Sequence, residues 1–310
     1  MNYLARAVEL AERGRGKTLP NPVVGAVVVR GGEVVGEGWH ERAGGPHAEV
    51  SALEQAGDLA KGATLYVSLE PCSTHGRTPP CADAILAAGI ARVVVGVDDP
   101  VQDGAASLRR AGVEVEVVDL WSARVQNEAW RTWAALGRPF VTYKAAVTLD
   151  GRMTLPGSRW ISGAESRRRV HELRAASDAV AVGMGTVRAD DPALTARDVG
   201  AQRQPRRLAF GSGPLPEGSE LELLSGTLED ELRRLADDEV QSLLLEGGPT
   251  FATAFLEADL IDKLLVFVAP CLSGEGPYLF RDLVRTVDLS RLSAQPVGED
   301  VLLSAYVHEP

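Results

Sequence analysis

The chain has few cysteines and no long apolar segment. Three cysteines in 310 residues are too few for a disulfide framework. No apolar run approaches the roughly 20 residues that a membrane-spanning helix needs. The first ten residues mix charges into an amphipathic pattern and lack the apolar centre of a signal peptide. We therefore expect a cytoplasmic protein that has no membrane partner.

The chain has no surplus of basic residues, with 32 Lys and Arg against 43 Asp and Glu. The net charge is −11 and no basic run stands out, whereas proteins that bind nucleic acid carry surplus Lys and Arg against the phosphate backbone. The composition therefore predicts small-molecule substrates and no nucleic-acid partner. No Gly-x-Gly-x-x-Gly occurs, so a Rossmann dinucleotide site is not indicated.

Length and hydrophobic content indicate a globular protein of two domains, because 310 residues exceed one ordinary core. We place the boundary at Arg138-Pro139, giving domains of residues 1–137 and 138–310. In both domains, apolar strands alternate with helical spacing, which is typical of α/β folds. The first domain is expected to have a hairpin about Gly31-Gly32, then a mainly parallel sheet covered by helices on both faces. Its last helix is predicted to run from residue 121 to 136.

Soft metal ligands are concentrated near the middle of the first domain. His47, Cys72 and Cys81 supply one imidazole and two thiolates, which can hold zinc and leave its fourth tetrahedral position open for water. Zinc deaminases use His-x-Glu and Pro-Cys-x-x-Cys, and this chain has both halves with a longer loop between the cysteines. Residues two apart do not share a helix face. Glu49 can therefore act beside His47 only if both lie at the first turn of a helix, where Glu49 would shuttle protons.

The second domain repeats an α/β pattern. Strands are predicted at residues 140–147, 179–183, 207–210, 242–245 and 263–269, with helices at 164–175 and 250–257. Gly247-Gly248 separates a strand from a helix whose first amides can bind a phosphate. Alone, such a turn is more often a simple connection.

Several motifs of the first domain resemble the deaminase half of the bifunctional deaminase-reductase of riboflavin biosynthesis. They are Pro20-Asn21-Pro22, Gly38-Trp39-His40, His47-Ala48-Glu49-Val50, Leu69-Glu70-Pro71-Cys72 and Gly76-Arg77-Thr78-Pro79-Pro80-Cys81. The resemblance implies a cytidine-deaminase-like three-layer αβα domain. It further implies that His47, Cys72 and Cys81 bind zinc, that Glu49 is the proton donor, and that Asn21 and His40 lie in the pyrimidine site.

The second domain resembles the reductase half of the same family. The motifs are Lys144-Ala145-Ala146, Ser158-Arg159-Trp160-Ile161-Ser162, His171-x-Leu173-Arg174, the segment from Gly185 to Arg197, and Glu246-Gly247-Gly248-Pro249-Thr250. The resemblance implies a dihydrofolate-reductase-like α/β domain that takes hydride from NADPH. By matching position, the NADPH site would include Ala146, Trp160, Thr186, Asp190, Ser212, Gly248, Pro249 and Thr250. The substrate would contact Ser158, Arg174, Leu194, Arg197 and Glu246, with Lys144 as a catalytic candidate at the reacting ribose.

The chain departs from the family pattern at three places. His75 is displaced by one position, the loop Asp99–Gly104 is contracted, and the segment between Phe210 and Ser242 is shortened. The last change predicts a lost or shortened strand.

The resemblance as a whole predicts a bifunctional enzyme that acts on pyrimidine ribosylamine phosphates. Two alternatives stay open at this point. In one, the second domain is a non-catalytic binding or assembly module, and in the other the protein is a nucleic-acid deaminase. The sequence leaves the oligomeric state open, a homo-oligomer included.

Overall fold

The computed structural model describes residues 2–74 and 79–310. It divides into two units, Met1–Leu136 with Pro310 and Gly137–Glu309, next to the boundary predicted from the sequence. Each unit has its own sheet and buried core. Within the described ranges, no helix combines the length and the apolar character needed to cross a bilayer.

The first unit is a sheet with helices on both sides. Its strands are β1 (Gly25–Arg30), β2 (Glu33–Trp39), β3 (Thr64–Val67), β4 (Arg92–Val95) and β5 (Glu114–Val117). Its helices are α1 (Tyr3–Ala11), α2 (Ala48–Ala56), α3 (Cys81–Ala87), α4 (Gly104–Arg110), α5 (Trp121–Gln126) and α6 (Glu128–Leu136).

The two faces of β1 pack against different helices. Ala26 and Val28 belong to a core cluster that includes residues of α2, α3 and α4, whereas Val27 packs with Ala7 and Leu10 of α1. Successive side chains of a strand point to opposite faces of its sheet. This alternation therefore confirms the predicted three-layer arrangement.

The sheet is mainly parallel, as expected, with β1 as the one reversed strand among the five. The strand order is β2-β1-β3-β4-β5, and β1 is antiparallel to both β2 and β3, while β3, β4 and β5 are parallel. The reason is the route of the chain. Helix α2 carries it from β2 to β3, which are parallel to each other, and β1 lies between them.

The predicted helix from residue 121 to 136 is broken at Asn127, between α5 and α6. The side chain of Asn127 is buried and bonds both polar backbone groups of Val23: Val23 N donates to its Oδ1 at 3.0 Å, and its Nδ2 donates to Val23 O at 2.9 Å. A contact across more than 100 residues therefore interrupts a helix that local spacing favours.

The second unit contains eight strands among the described residues. They are β6 (Phe140–Thr148), β7 (Ala179–Gly183), β8 (Arg206–Phe210), β9 (Glu222–Leu224), β10 (Ser242–Leu245), β11 (Lys263–Ala269), β12 (Ser290–Val297) and β13 (Asp300–Tyr306). The helices are α7 (Ala164–Ala176), α8 (Met184–Asp190), α9 (Leu228–Asp237) and α10 (Pro249–Glu257). The sheet order is β12-β13-β11-β6-β10-β7-β8-β9, parallel from β11 to β9 and antiparallel at β13 and β12.

Strand β6 is central and separates two environments. Tyr143 and Ala145 lie in the main core with Phe255 of α10, whereas Ala146 packs with Val170 of α7. Lys144 is two residues before Ala146 in the same strand, so both side chains lie on the face of the sheet that packs against α7.

The shortened segment after β8 still contains a strand, which is only three residues long, and a helix. These are the edge strand β9 and the helix α9. Thr227 caps α9 by accepting a hydrogen bond from Asp230 N at 3.2 Å, and Leu232 and Leu235 are buried at helical spacing. Helix α8 and the hairpin β12–β13 are elements that the sequence patterns did not predict.

Candidate active sites

The first turn of α2 places His47 beside Glu49. His47 is the N-cap, with extended backbone (φ −74°, ψ 160°), and Glu49 lies within the first helical turn. Only at such a position can residues two apart face one site. Gly36 and Gly38 of β2 allow α2 to lie close, since a Cβ at either would meet a carbonyl oxygen of α2 at 2.1 or 2.3 Å.

The two cysteines approach the same point from other elements. Cys81 is buried at the first position of α3, and Cys72 lies in the loop after β3. The backbone N–H of Cys81 donates to Cys72 Sγ at 3.3 Å. His47 Nδ1 is 3.1 Å from Cys81 Sγ and 3.7 Å from Cys72 Sγ, and the three donor atoms lie within 4.8 Å of one another.

These separations fit a tetrahedral zinc ion. Zn–S and Zn–N bonds of about 2.3 and 2.1 Å at tetrahedral angles separate neighbouring donors by roughly 3.6–3.8 Å. One imidazole and two thiolates are the donor types that zinc prefers, and three protein ligands leave one position for water. The geometry therefore fits a catalytic zinc site at His47, Cys72 and Cys81.

A buried acid and a neutral imidazole flank the donor atoms. Glu49 is 3% exposed; burial raises its pKa, and its carboxyl shares a hydrogen bond with Cys81. His40 Nδ1 lies 2.9 Å from the carbonyl of Pro46, so this nitrogen donates, and Asn21 Nδ2 is 3.4 Å from Nε2. Burial lowers the pKa of His40, and its ring centroid is 5.4 Å from that of His47. The predicted pyrimidine contacts Asn21 and His40 are thus next to the donor set.

The contracted loop contacts the residues that follow Cys72. Gln102 Oε1 accepts hydrogen bonds from Ser73 N at 3.3 Å and Thr74 Oγ1 at 3.0 Å, and Asp103 Oδ1 accepts one from Ser73 Oγ at 2.8 Å. The loop therefore supports the segment that carries the first thiolate. Gln102 could not be predicted from local sequence patterns, because its hydrogen-bond partners lie about 30 residues away in the chain.

Part of the motif between the cysteines cannot be placed in this site. His75, which is displaced by one position from the family pattern, and the motif residues Gly76, Arg77 and Thr78 lie outside the described residues.

Replacing Gln102 with alanine is expected to weaken zinc binding about 10–100-fold, the usual effect of losing a residue that orients a ligand-bearing segment. Affinity would be measured by competition with a chromogenic chelator. Gln102→Glu keeps the acceptor oxygen and should bind zinc nearly as well as the parent. Gln55→Ala is the matched control, since Gln55 accepts a hydrogen bond from Glu37 N away from the metal ligands. Equal zinc affinity in Gln102→Ala and the parent would contradict the supporting role.

The second unit contains a cavity of about 460 Å³, within the range of small-molecule sites. Ten of the predicted reductase residues line it: Lys144, Ala146, Ser158, Trp160, Arg174, Thr186, Asp190, Leu194, Arg197 and Glu246. Four others do not: Ser212, Gly248, Pro249 and Thr250. Ser212 follows β8, with its carbonyl accepting from Arg188, and the other three form the start of α10.

Three charged side chains meet at the floor of this cavity. Parallel pairing of β10 with β6 sets Leu245 opposite Tyr143, which brings Glu246 next to Lys144. Lys144 Nζ is 3.3 Å from Glu246 Oε2, and Arg174 bonds both carboxylate oxygens at 2.5 and 3.0 Å. Burial opposes ionisation of Glu246, but the charge of Lys144 and the hydrogen bonds of Arg174 outweigh it and lower its pKa to about 2. Glu246 is therefore an anion between two cations.

The two arginines among the predicted substrate contacts, Arg174 and Arg197, have different surroundings. Arg174 is paired with Glu246 and donates to the carbonyl of Thr195 at 3.1 Å, so much of its hydrogen-bonding capacity is already used. Arg197 is exposed and forms no ion pair with any residue in 2–74 or 79–310; its Nη1 lies 3.5 Å from Thr195 Oγ1. Of the two, Arg197 has the guanidinium available for a ligand.

The cavity contains further polar residues that the sequence analysis did not assign. Arg167 and His171 line it together with Arg174, and their spacing of four and three residues along α7 is the signal that would have found them. Arg159 and Arg167 also place their guanidinium carbons 5.0 and 5.4 Å from the ring centroid of Trp160. This half-exposed indole is thus surrounded by cations.

Two family models match the chain. The first, described as the cytidine and deoxycytidylate deaminase zinc-binding region, matches residues 1–97. The second, described as the RibD C-terminal domain, matches residues 139–303. The riboflavin biosynthesis protein RibD of Aquifex aeolicus is 42% identical over 344 residues, covering 97% of each chain. The Escherichia coli protein of the same name is 39% identical over 360 residues, also covering 97% of each.

The chain belongs to the RibD family.

Solved RibD structures agree over nearly the whole length. Acinetobacter baumannii RibD superposes with a TM-score of 0.85 at 35% identity, covering 98% of this chain and 97% of the other. The Thermotoga maritima protein, named a diaminohydroxyphosphoribosylaminopyrimidine deaminase/5-amino-6-(5-phosphoribosylamino)uracil reductase, has a TM-score of 0.82 at 34% identity and the same coverage. The chain is a bifunctional riboflavin-biosynthesis enzyme with deaminase and reductase halves. The full-length match argues against a second domain that serves only binding or assembly.

Proposed function

We propose that the first unit deaminates diaminohydroxyphosphoribosylaminopyrimidine and that the second reduces 5-amino-6-(5-phosphoribosylamino)uracil to its ribityl form. The names of these two compounds come from the Thermotoga relative. The observation that carries the proposal is the zinc-type donor set with the buried Glu49 beside it, in the half that matches a deaminase zinc-binding region.

For deamination, His47, Cys72 and Cys81 would hold zinc, whose chemistry is to make water nucleophilic at neutral pH. Glu49 takes a proton from the attacking water on a carboxylate oxygen and returns it to the leaving amine. Its burial supports this role, because a carboxyl out of bulk water keeps its proton more readily. Asn21 and the neutral His40 hydrogen-bond the pyrimidine.

For reduction, NADPH would supply the hydride and the cavity of the second unit would orient both reactants. Lys144 lines the cavity and is paired with the anionic Glu246, so its ammonium is held in place to hydrogen-bond an oxygen of the reacting ribose. Trp160, Thr186, Asp190 and Ala146 are the proposed cofactor contacts.

Gly248, Pro249, Thr250 and Ser212 lie outside the cavity and stay predictions for the rest of the cofactor. Gly247 supports a close turn there, since a Cβ at this position would meet the ring of Phe251 at 2.2 Å.

Substrate recognition is proposed for Ser158, Arg174, Leu194, Arg197 and Glu246, which all line the cavity. A guanidinium without a carboxylate partner suits a phosphate, which it can bind with two parallel hydrogen bonds. Arg197 is therefore the proposed phosphate contact, and Arg174 positions Glu246. The cytoplasmic location and the absence of a nucleic-acid partner stay predictions.

A coupled assay tests both activities in one cuvette, by following ammonia release and NADPH oxidation from the deaminase substrate. We expect ammonia first and NADPH loss second, with Glu49→Ala abolishing both and Arg197→Ala lowering only the second. Ammonia without NADPH oxidation would contradict the proposed reductase. Ammonia from RNA, but not from the pyrimidine phosphate, would favour a nucleic-acid deaminase instead.

A further inference from the structure

The loop between α8 and β8 has an unusual backbone. Asp191, Leu194 and Asp198 have φ angles of 39°, 50° and 59°, in the left-handed region that residues other than glycine seldom adopt. Such conformations are costly and persist only where the surroundings enforce them. The loop carries Leu194 and Arg197, two of the proposed substrate contacts.

Alternate side chains of this loop have opposite roles. Leu194 and Ala196 are 2% and 5% exposed and anchor the loop to the unit. Arg197 is exposed and lines the cavity with His171 and Arg174. The position of its guanidinium therefore depends on how the backbone at Ala196 is held.

Gln204 bonds both polar backbone groups of Ala196. Ala196 N donates to Gln204 Oε1 at 2.8 Å, and Gln204 Nε2 donates to Ala196 O at 2.9 Å. Two hydrogen bonds from one planar amide hold the peptide groups on both sides of the Ala196 Cα, in distance and in orientation. Gln204 itself does not line the cavity.

The other side of the loop is held by α7. Arg197 N lies 3.2 Å from His171 Nδ1, and the carbonyl of Thr195 accepts from Arg174 at 3.1 Å. Residues on both sides of Ala196 are thus bonded to the cavity wall, while Gln204 bonds Ala196 from outside the cavity. Loss of Gln204 would leave the backbone of residues 195–197 hydrogen-bonded, within the described part of the chain, to α7 alone.

We propose that Gln204 is a positioning residue that sets the affinity of the reductase for the phosphate of its substrate, acting through Arg197. The inference rests on the proposed function, which assigns the phosphate to Arg197. The phosphate does not react, so a misplaced Arg197 weakens the ground state and the transition state alike and raises KM more than it lowers kcat.

The test uses the full chain with Gln204→Ala and, as the matched control, Gln202→Ala, an exposed glutamine two residues away. Reductase kinetics are measured with 5-amino-6-(5-phosphoribosylamino)uracil and with the same compound lacking the phosphate. The deaminase rate of each variant reports whether the chain has folded.

Gln204→Ala should raise KM for the phosphorylated compound roughly tenfold, as expected for two lost hydrogen bonds. KM for the compound without phosphate, kcat and the deaminase rate should stay near the parent values, and Gln202→Ala should match the parent throughout. In an Arg197→Ala background, removal of Gln204 should have no further effect on KM, because both substitutions remove the same contact between Arg197 and the phosphate.

The inference is overturned if Gln204→Ala leaves KM unchanged, raises it equally for both compounds, or adds its full effect to Arg197→Ala. Failure of the proposed function looks different, because the parent protein would then not oxidise NADPH with either compound.

Discussion

Replacing Glu49 with glutamine is expected to lower the rate of ammonia release by about 10²–10⁴-fold, the usual contribution of a positioned proton-transfer group. Glutamine has the size of glutamate but cannot carry a proton between the water and the leaving amine. Glu49 is buried at the donor set, where bulk solvent offers no substitute. The rate would be followed by ammonia detection at saturating substrate.

Two further measurements separate chemistry from folding in this variant. Zinc content should equal that of the parent, because the proposed ligands are unchanged, and reduction of separately supplied deaminated substrate should also be unaffected. Glu54→Gln is the matched control, since Glu54 lies on the same helix but is exposed. A Glu49→Gln enzyme that releases ammonia at the parent rate would remove Glu49 from the mechanism.

Replacing Glu246 with glutamine is expected to lower the free energy of unfolding of the second unit by about 3–5 kcal/mol, the cost of breaking a buried ion pair from one side. The side chain of Glu246 is 6% exposed, and those of Lys144 and Arg174 are 16% and 14% exposed. Without the carboxylate, two mostly buried cations would face each other. NADPH oxidation should fall in the same variant.

Differential scanning calorimetry of the full chain measures this loss, with the second unit identified as the transition that NADPH shifts. Glu257→Gln is the control, because Glu257 is exposed at the end of α10. Adding Lys144→Met to Glu246→Gln should recover part of the stability but none of the activity. A change of less than about 1 kcal/mol in Glu246→Gln, typical of surface positions, would show that the cluster contributes little.

The candidate zinc site is the part most accessible from the sequence. His47 and Glu49 are close in the chain, and a first-turn position was the one way for both to face one ion. The structure has this arrangement, and it brings Cys72 and Cys81 to the same point. These residues could be recognised from the sequence because zinc restricts both the residue types that bind it and their spacing along the chain.

The sheet order and the helix break at Asn127 depend on partners far away in the chain. The insertion of β1 between β2 and β3 is set by strand pairing, and the break by the two bonds of Asn127 to Val23. Apolar periodicity reports which face of a segment is buried, but not which segment it meets. It therefore predicted the α/β class and missed these features.

The roles of similar residues were decided by contacts. Arg174 and Arg197 were both predicted to contact the substrate, yet Arg174 is paired with Glu246 and Arg197 has no carboxylate partner among the described residues. Gln102 and Gln204 carry no motif at all.

By itself, the sequence determined the two α/β halves and the donor set for zinc, because these depend on residue type and short spacing. The residues that gather at the reductase cavity were implied by the resemblance to the family. Only the tertiary structure decided that Arg174 is paired with Glu246 and that the loop between α8 and β8 has a strained backbone. The cation–anion cluster joins residues 72 and 102 positions apart, and the hydrogen bonds of the loop join residues 8 to 26 positions apart, so no local pattern encodes either property.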